Sequence, residues 1–202
     1  MSITINGNGT VTGLSSGGLP AGSVTSATLA DGAATGSKLG AGSILQVIQT
    51  YRTSIFSEEV TVGNFSSAVM TASITPTSTS NKILVLCTLH ISTGTSGTNQ
   101  TNGCQALIKR DGTGIGVGDA AGNRVRSTGA GIGSAAVNRL QSNVHMTFLD
   151  SPSSTSALSY TAHIKPGYNG TQWVNLNQES YDGDYSSVGR SASSITLMEV
   201  AA

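Results

Sequence analysis

Short apolar runs alternate with polar, turn-forming clusters along most of this chain. The runs fall at residues 44–51, 67–74, 82–91, 104–109, 115–117, 144–149, 157–165, 172–177 and 194–200. They are rich in Val, Ile, Leu and Thr. Several read with period two, which places alternate side chains on opposite faces of a strand. Thr75-Pro76, Asp111-Gly112 and the cluster around Pro152 punctuate them, and Asp-Gly is a hairpin signal. The run 82–91 is apolar at successive positions, as a strand covered on both faces and paired on both edges should be. No stretch sustains a 3.6-residue period. The pattern predicts an all-β chain with at least eight strands, arranged as a β-sandwich of jelly-roll-like type.

The first 43 residues follow a different rule. Leu19 to Val24, Leu29 to Ala34 and Leu39 to Ile44 repeat one pattern, Leu-x-x-Gly-small-aliphatic, every ten residues. Each copy offers two apolar anchors and one Gly. Such a unit cannot bury a core by itself and is stabilised by stacking on neighbours or on other chains. Residues 1–43 are therefore expected to form an extended arm or stalk, and residues 44–202 the sandwich. Leu19, Val24, Leu29, Ala34, Leu39 and Ile44 are the expected oligomerisation or anchoring contacts. Narrow apolar stripes of this kind suit three chains side by side, which makes a homotrimer the expected assembly. A flexible Gly/Ser linker is the competing reading of the same segment.

Composition narrows the function. Of 202 residues, 10 are Lys or Arg and 10 are Asp or Glu, so net charge is zero. A nucleic-acid partner calls for a basic field, which this chain lacks. No apolar run approaches the ~20 residues of a membrane-spanning helix. Two cysteines, Cys87 and Cys104, are too few for a disulfide framework, and the opening residues carry no secretory signal. Assembly in a reducing cytoplasm is expected.

Candidate chemistry is sparse. His90, His145 and His163 lie in predicted strands without ligand partners at metal-binding spacing, and Cys87 reads as a small buried hydrophobe. Asp182-Gly183-Asp184 is half of a calcium loop and lacks the remaining ligands. No nucleophile motif, phosphate loop or carboxylate pair is present, so neither an enzyme nor a cofactor is expected. Arg124 and Arg126 alternate onto one face and, with Arg139, could meet Asp119 or a neighbouring subunit; a solvated loop is the simpler reading.

The most informative stretch is 168–185. It holds Tyr168, Trp173, Tyr181 and Tyr185, four of the chain's nine aromatic residues, interleaved with Asn175, Asn177, Asp182 and Asp184. Alternation puts Val174 and Leu176 toward the core and Trp173, Asn175 and Asn177 on the opposite face. An aromatic ring flanked by amides suits a sugar surface, since the ring stacks on C–H faces while the amides bond hydroxyls. The same composition also suits a subunit interface.

Three segments carry a family resemblance. Residues 2–7 running through the ten-residue repeat to 42–47, then 73–85, which includes Pro76 and Asn81, then 194–200, with Met198 and Glu199, resemble stretches of structural proteins of tailed bacteriophages, especially of marine and cyanobacterial hosts. The resemblance implies a virion component with no enzymatic role, commonly a homotrimer with a β-rich head. Taken with the repeat segment and the 168–185 stretch, the leading expectation is a short tail fibre that contacts a host-surface glycan, with its arm held by other virion proteins. A head fibre or capsid-decorating protein anchored by the same arm is the alternative. A glycan-degrading spike ranks below both, because no carboxylate pair can be assigned.

Overall fold

The alternating runs become two antiparallel β-sheets that face one another across a single core. The structure, a computed structural model, describes residues 4–5, 11–12, 39–94, 103–131, 141–167 and 170–202. The chain divides into two compact units, 1–39 and 40–202. In the first, Thr4–Ile5 (β1) and Val11–Thr12 (β2) pair antiparallel. Leu19, Val24, Leu29 and Ala34 lie outside the described residues. Leu39 and Ile44 are described, and both are exposed.

The second unit is the sandwich, and all its described strands pair antiparallel. Its strands are Ile44–Arg52 (β3), Phe56–Thr61 (β4), Met70–Ile74 (β5), Lys82–Gly94 (β6), Cys104–Arg110 (β7), Thr113–Ile115 (β8), Gly129–Gly131 (β9), Ser142–Asp150 (β10), Leu158–Pro166 (β11), Thr171–Leu176 (β12) and Ser193–Val200 (β13). One sheet holds β3, β4, β6, β10, β12 and β13; the other holds β5, β7, β8, β9 and β11.

β6 is the spine of the larger sheet, as its apolar run predicts. β10 lines one edge of it, from Ile83 to Ile91. The other edge carries two strands end to end: β13 opposite Lys82 to Thr88, then β12 opposite Ile91 to Gly94. β3 flanks β13 and β4 flanks β12. The inward residues of β6 (Ile83, Val85, Cys87, Leu89 and Ile91) are buried, while Leu84 and Leu86 on the other face are half-buried. Across the core they meet a cluster that includes Ala72, Ile74, Ala106, Ile108, Tyr160 and Ile164 from the smaller sheet. Full burial of one aliphatic side chain contributes roughly 1.5–3 kcal/mol, so this core dominates the fold's stability.

Three local devices fix the sheets. Asp111 and Gly112 form the predicted hairpin turn between β7 and β8, both with left-handed φ (48° and 84°), as a type I′ turn requires. At one end of the sandwich the buried Tyr160 hydroxyl donates to Asp150 Oδ2 at 2.7 Å, and Arg110 Nη1 donates to the same oxygen at 2.5 Å. That carboxylate on β10 joins the larger sheet to β7 and β11 of the smaller one. Elsewhere the fully buried carboxylate of Glu199 accepts from Gln46 Nε2 (2.6 Å), Thr77 N (2.6 Å), Thr77 Oγ1 (2.8 Å) and Asn81 Nδ2 (2.6 Å). Burial pushes this carboxyl up, but the donors outweigh it and hold it below the usual range.

Some expected bounds move. β5 starts at Met70, later than the apolar run suggests, because Ser67 turns its N–H and hydroxyl to the carboxylate of Glu58. The strand after the Asp111 turn is 113–115, so the expected 115–117 is displaced by two residues. β4 has no counterpart in the predicted set, since the adjacent charges of Glu58 and Glu59 obscure its alternation.

Candidate functional site

The candidate site is the excursion that the chain makes between β12 and β13. Because these strands lie end to end on one edge of β6, the chain must leave the sheet after Leu176 and return at Ser193. Only two residues of β6, Leu89 and His90, separate the positions opposite Leu176 and Ser194. Asn177 and Ser193 fill this gap. The Asn177 N–H donates to His90 O at 2.9 Å, and the His90 N–H donates to Ser193 Oγ at 3.0 Å. Asn177 takes a left-handed φ of 63°, which turns the chain outward; Asn is among the few side chains that tolerate that conformation.

Behind this neck lies a buried polar network. Asn177 Nδ2 donates to Arg52 O (2.9 Å) and Ser54 O (3.0 Å). Gln178 Nε2 donates to Ser57 Oγ (2.7 Å) and Asn175 Oδ1 (3.1 Å). Asn175 Nδ2 donates to Ser92 Oγ at 3.2 Å, and Ser92 Oγ donates to Gln178 O at 2.9 Å. Gln178 Oε1 is buried and finds no partner. A network so nearly satisfied, away from water, fixes one geometry. It also corrects an expectation: the Gln178 amide is bonded to Asn175, and Asn177 turns its own amide onto the Arg52 and Ser54 carbonyls. Asn175 and Asn177 are 5% and 0% exposed, so they hold the loop instead of contacting a ligand.

The tip of the excursion is exposed. Tyr181 and Tyr185 stack with ring centroids 6.4 Å apart and planes 17° from parallel. They are 38% and 59% exposed. Gly183 lies against both rings: a Cβ there would meet Tyr181 Cε1 at 2.6 Å and Tyr185 Cε2 at 2.7 Å. Arg190 grips Asp182 with both Nη atoms, the Nη2–Oδ2 bond measuring 2.7 Å, and Gly189 N donates to Glu179 Oε1 at 2.8 Å. The pairing with Asp182 holds the Arg190 guanidinium further above its ordinary range. Asp182, Gly183, Asp184, Tyr185, Val188 and Arg190 enclose an open pocket of about 380 Å³. Asp184 is exposed on its rim, and no hydrogen bond or ion pair engages it among the described residues.

The expected contact set is thus divided. Tyr181, Asp182, Asp184 and Tyr185 come together at the tip. Asn175 and Asn177 form the neck. Trp173 sits half-buried on the outward face of β12, paired across the sheet with Glu59 and Gly94. Tyr168 lies outside the described residues. Gly183 and Arg190 are additions, the first hinted at by the Asp-Gly-Asp turn; Gln178 is one of the amides interleaved with the aromatics of 168–185 and proves to belong to the neck.

Other candidate groups serve the fold. His163 is buried, with Nδ1 against Ser66 O and Nε2 against Thr161 Oγ1, both at 2.9 Å, and burial pushes its pKa down. Lys165 is buried and donates to Pro166 O, and its pKa is pushed down by the same cause. Burial pushes the Cys87 thiol up to about 12 and the Cys104 thiol up to about 11, so both stay protonated. Arg124 and Arg126 belong to an exposed loop and donate to Ala121 O and Gly118 O. Among the described residues no three His, Cys, Asp or Glu side chains converge on a common point. A second cleft, of similar volume, lies between β3 and β5. It is lined by Arg52, whose guanidinium is committed to Val69 O, Ile55 O and Ser54 and lies over the Phe56 ring.

No protein-family model matches the chain, and no curated protein matches it.

Proposed function

We propose that the protein is a non-enzymatic adhesion head: a short tail fibre of a bacteriophage virion, homotrimeric through its N-terminal repeat segment, whose β-sandwich faces outward and contacts host-surface glycan. One observation carries the adhesion part. A stacked and exposed tyrosine pair stands beside an open pocket on a loop whose neck is locked by buried hydrogen bonds. A rigid scaffold that presents aromatic and carboxylate groups at a loop tip is how binding sites are grafted onto sandwiches. Sugar rings offer C–H faces to aromatics and hydroxyls to carboxylates. His163 is committed to the fold, and Cys87 and Cys104 are protonated by burial, so none of these three is poised for catalysis. The virion and trimer parts rest on the ten-residue repeat and on the resemblance of residues 2–47, 73–85 and 194–200 to phage structural proteins.

The test is adsorption. Purified full-length protein, added to the cells on which the virus grows, is expected to bind them and block infection, and Tyr185→Ala is expected to lose both effects. Light scattering is expected to return the mass of a trimer. Binding to purified capsids without any block of adsorption would replace the fibre reading with that of a capsid decoration.

A further inference from the structure

We infer that the tip pocket selects neutral sugars, hexoses or N-acetylhexosamines, and rejects acidic ones; the inference rests on reading this loop as the glycan contact. Between residues 178 and 192 the chain carries three carboxylates, Glu179, Asp182 and Asp184, against one cation, Arg190. Arg190 is also the only cation lining the pocket among the described residues. It is the group that would recognise a sugar carboxylate or sulfate through its forked N–H donors. Here both Nη atoms are turned onto Asp182, so that fork is occupied.

The remaining pocket chemistry is acceptor chemistry. Asp184 presents an uncommitted carboxylate on the rim, able to take two donors from adjacent hydroxyls or an acetamido N–H. Glu179 adds further negative charge behind it: its Oε1 is held by Gly189 N, and its Oε2 is buried without a partner. An anionic sugar placed on the Tyr185 ring would meet a field of its own sign. A neutral sugar meets acceptors that match its hydroxyl donors and an aromatic face that matches its C–H surface. The charge part of the discrimination acts over the Debye length, about 8 Å at physiological salt, so it should shrink as salt rises.

Matched ligand pairs test this on the full-length protein at pH 7. The probes are dextran against dextran sulfate, agarose against carrageenan, and lactose against 3′-sialyllactose. The polymers are immobilised, and the small sugars are read by saturation-transfer NMR. In any pair that binds, the neutral member is expected to be favoured by about tenfold or more, equivalent to one decade in Kd. Asp184→Asn is expected to narrow the gap to about threefold or less, and 0.5 M salt to narrow it in the unmodified protein. An acidic member bound equally or more tightly, with that binding lost in Tyr185→Ala, overturns the selectivity while leaving the adhesion loop in place. Binding to neither class, or binding that survives Tyr185→Ala, overturns the reading of the loop itself.

Discussion

Ser193 Oγ donates to Asn177 Oδ1 at 2.6 Å, and this bond closes the neck of the excursion between β12 and β13. Asn177 also satisfies two carbonyls and holds a left-handed φ. Asn177→Ala should therefore lose its hydrogen bonds and add backbone strain, for a cost of roughly 3–4 kcal/mol. Asn177→Gly removes the same bonds without the strain and should cost about 1–2 kcal/mol less than Ala. Urea denaturation of the two variants measures the difference. Equal midpoints would refute the strain argument.

Acid stability should track Glu199. Its folded-state pKa is lowered by its hydrogen-bond donors, so it contributes stability at pH values above the ordinary carboxyl pKa. That contribution is lost as pH falls from about 4.5 through the lower folded value. Glu199→Gln should cost about 1–3 kcal/mol at pH 7, because hydrogen bonds to a charged acceptor are exchanged for weaker ones. Its melting temperature should also decline less steeply than that of the unmodified protein below that pH. Parallel pH profiles for the two proteins would show that Glu199 is not the group responsible.

Gly183→Ala should separate binding from folding. Gly183 does not occupy a left-handed φ, so Ala is tolerated by the backbone, yet the new methyl would displace both tyrosine rings. Unfolding free energy is expected to change by less than about 0.5 kcal/mol, as for an ordinary surface substitution. Near-ultraviolet circular dichroism from the ring pair should change, and cell binding should fall by about tenfold. Unchanged binding with displaced rings would remove the tyrosine pair from the contact.

The Arg110–Asp150–Tyr160 contact should behave as a coupled unit. Tyr160→Phe removes one hydrogen bond to a charged acceptor and should cost about 1.5–3 kcal/mol. Asp150→Ala strands the buried Tyr160 hydroxyl and the guanidinium together, so it should cost more, about 3–5 kcal/mol. In the double variant the effects should fall short of additivity by at least about 0.5 kcal/mol. Additive losses would mean that the two residues act separately.

The strands were legible where their signal was local. β6 announced itself by an apolar run too long for a one-sided strand, and the Asp111-Gly112 turn by its dipeptide. β4 was not legible, because Glu58 is spent on Ser67, a contact between residues nine apart that no periodicity encodes. The same limit explains the site. Alternation turned Asn175 and Asn177 away from the core, and the aromatic clustering pointed to the loop whose tip carries the exposed tyrosine pair. What alternation could not reveal was that Gln178, Ser57 and the Arg52 and Ser54 carbonyls take up those amides, since these contacts depend on β12 and β13 sharing one edge of β6. Arg190 gives no signal, because nothing in the sequence pairs it with Asp182, which reads as part of an acidic turn.

The end-to-end arrangement of β12 and β13 has an evolutionary consequence. The sheet registers two short strands against β6 and tolerates change in what the chain carries between them, provided Asn177, Gln178, Ser191 and Ser193 hold the neck. Loop-closure entropy rises only slowly with length, by about 0.6 kcal/mol for each doubling. Insertions and replacements between residues 179 and 189 therefore leave the sandwich registers untouched. The loop can diversify under selection while the scaffold is inherited intact; if it is the glycan contact proposed here, exchanging this cassette changes the target.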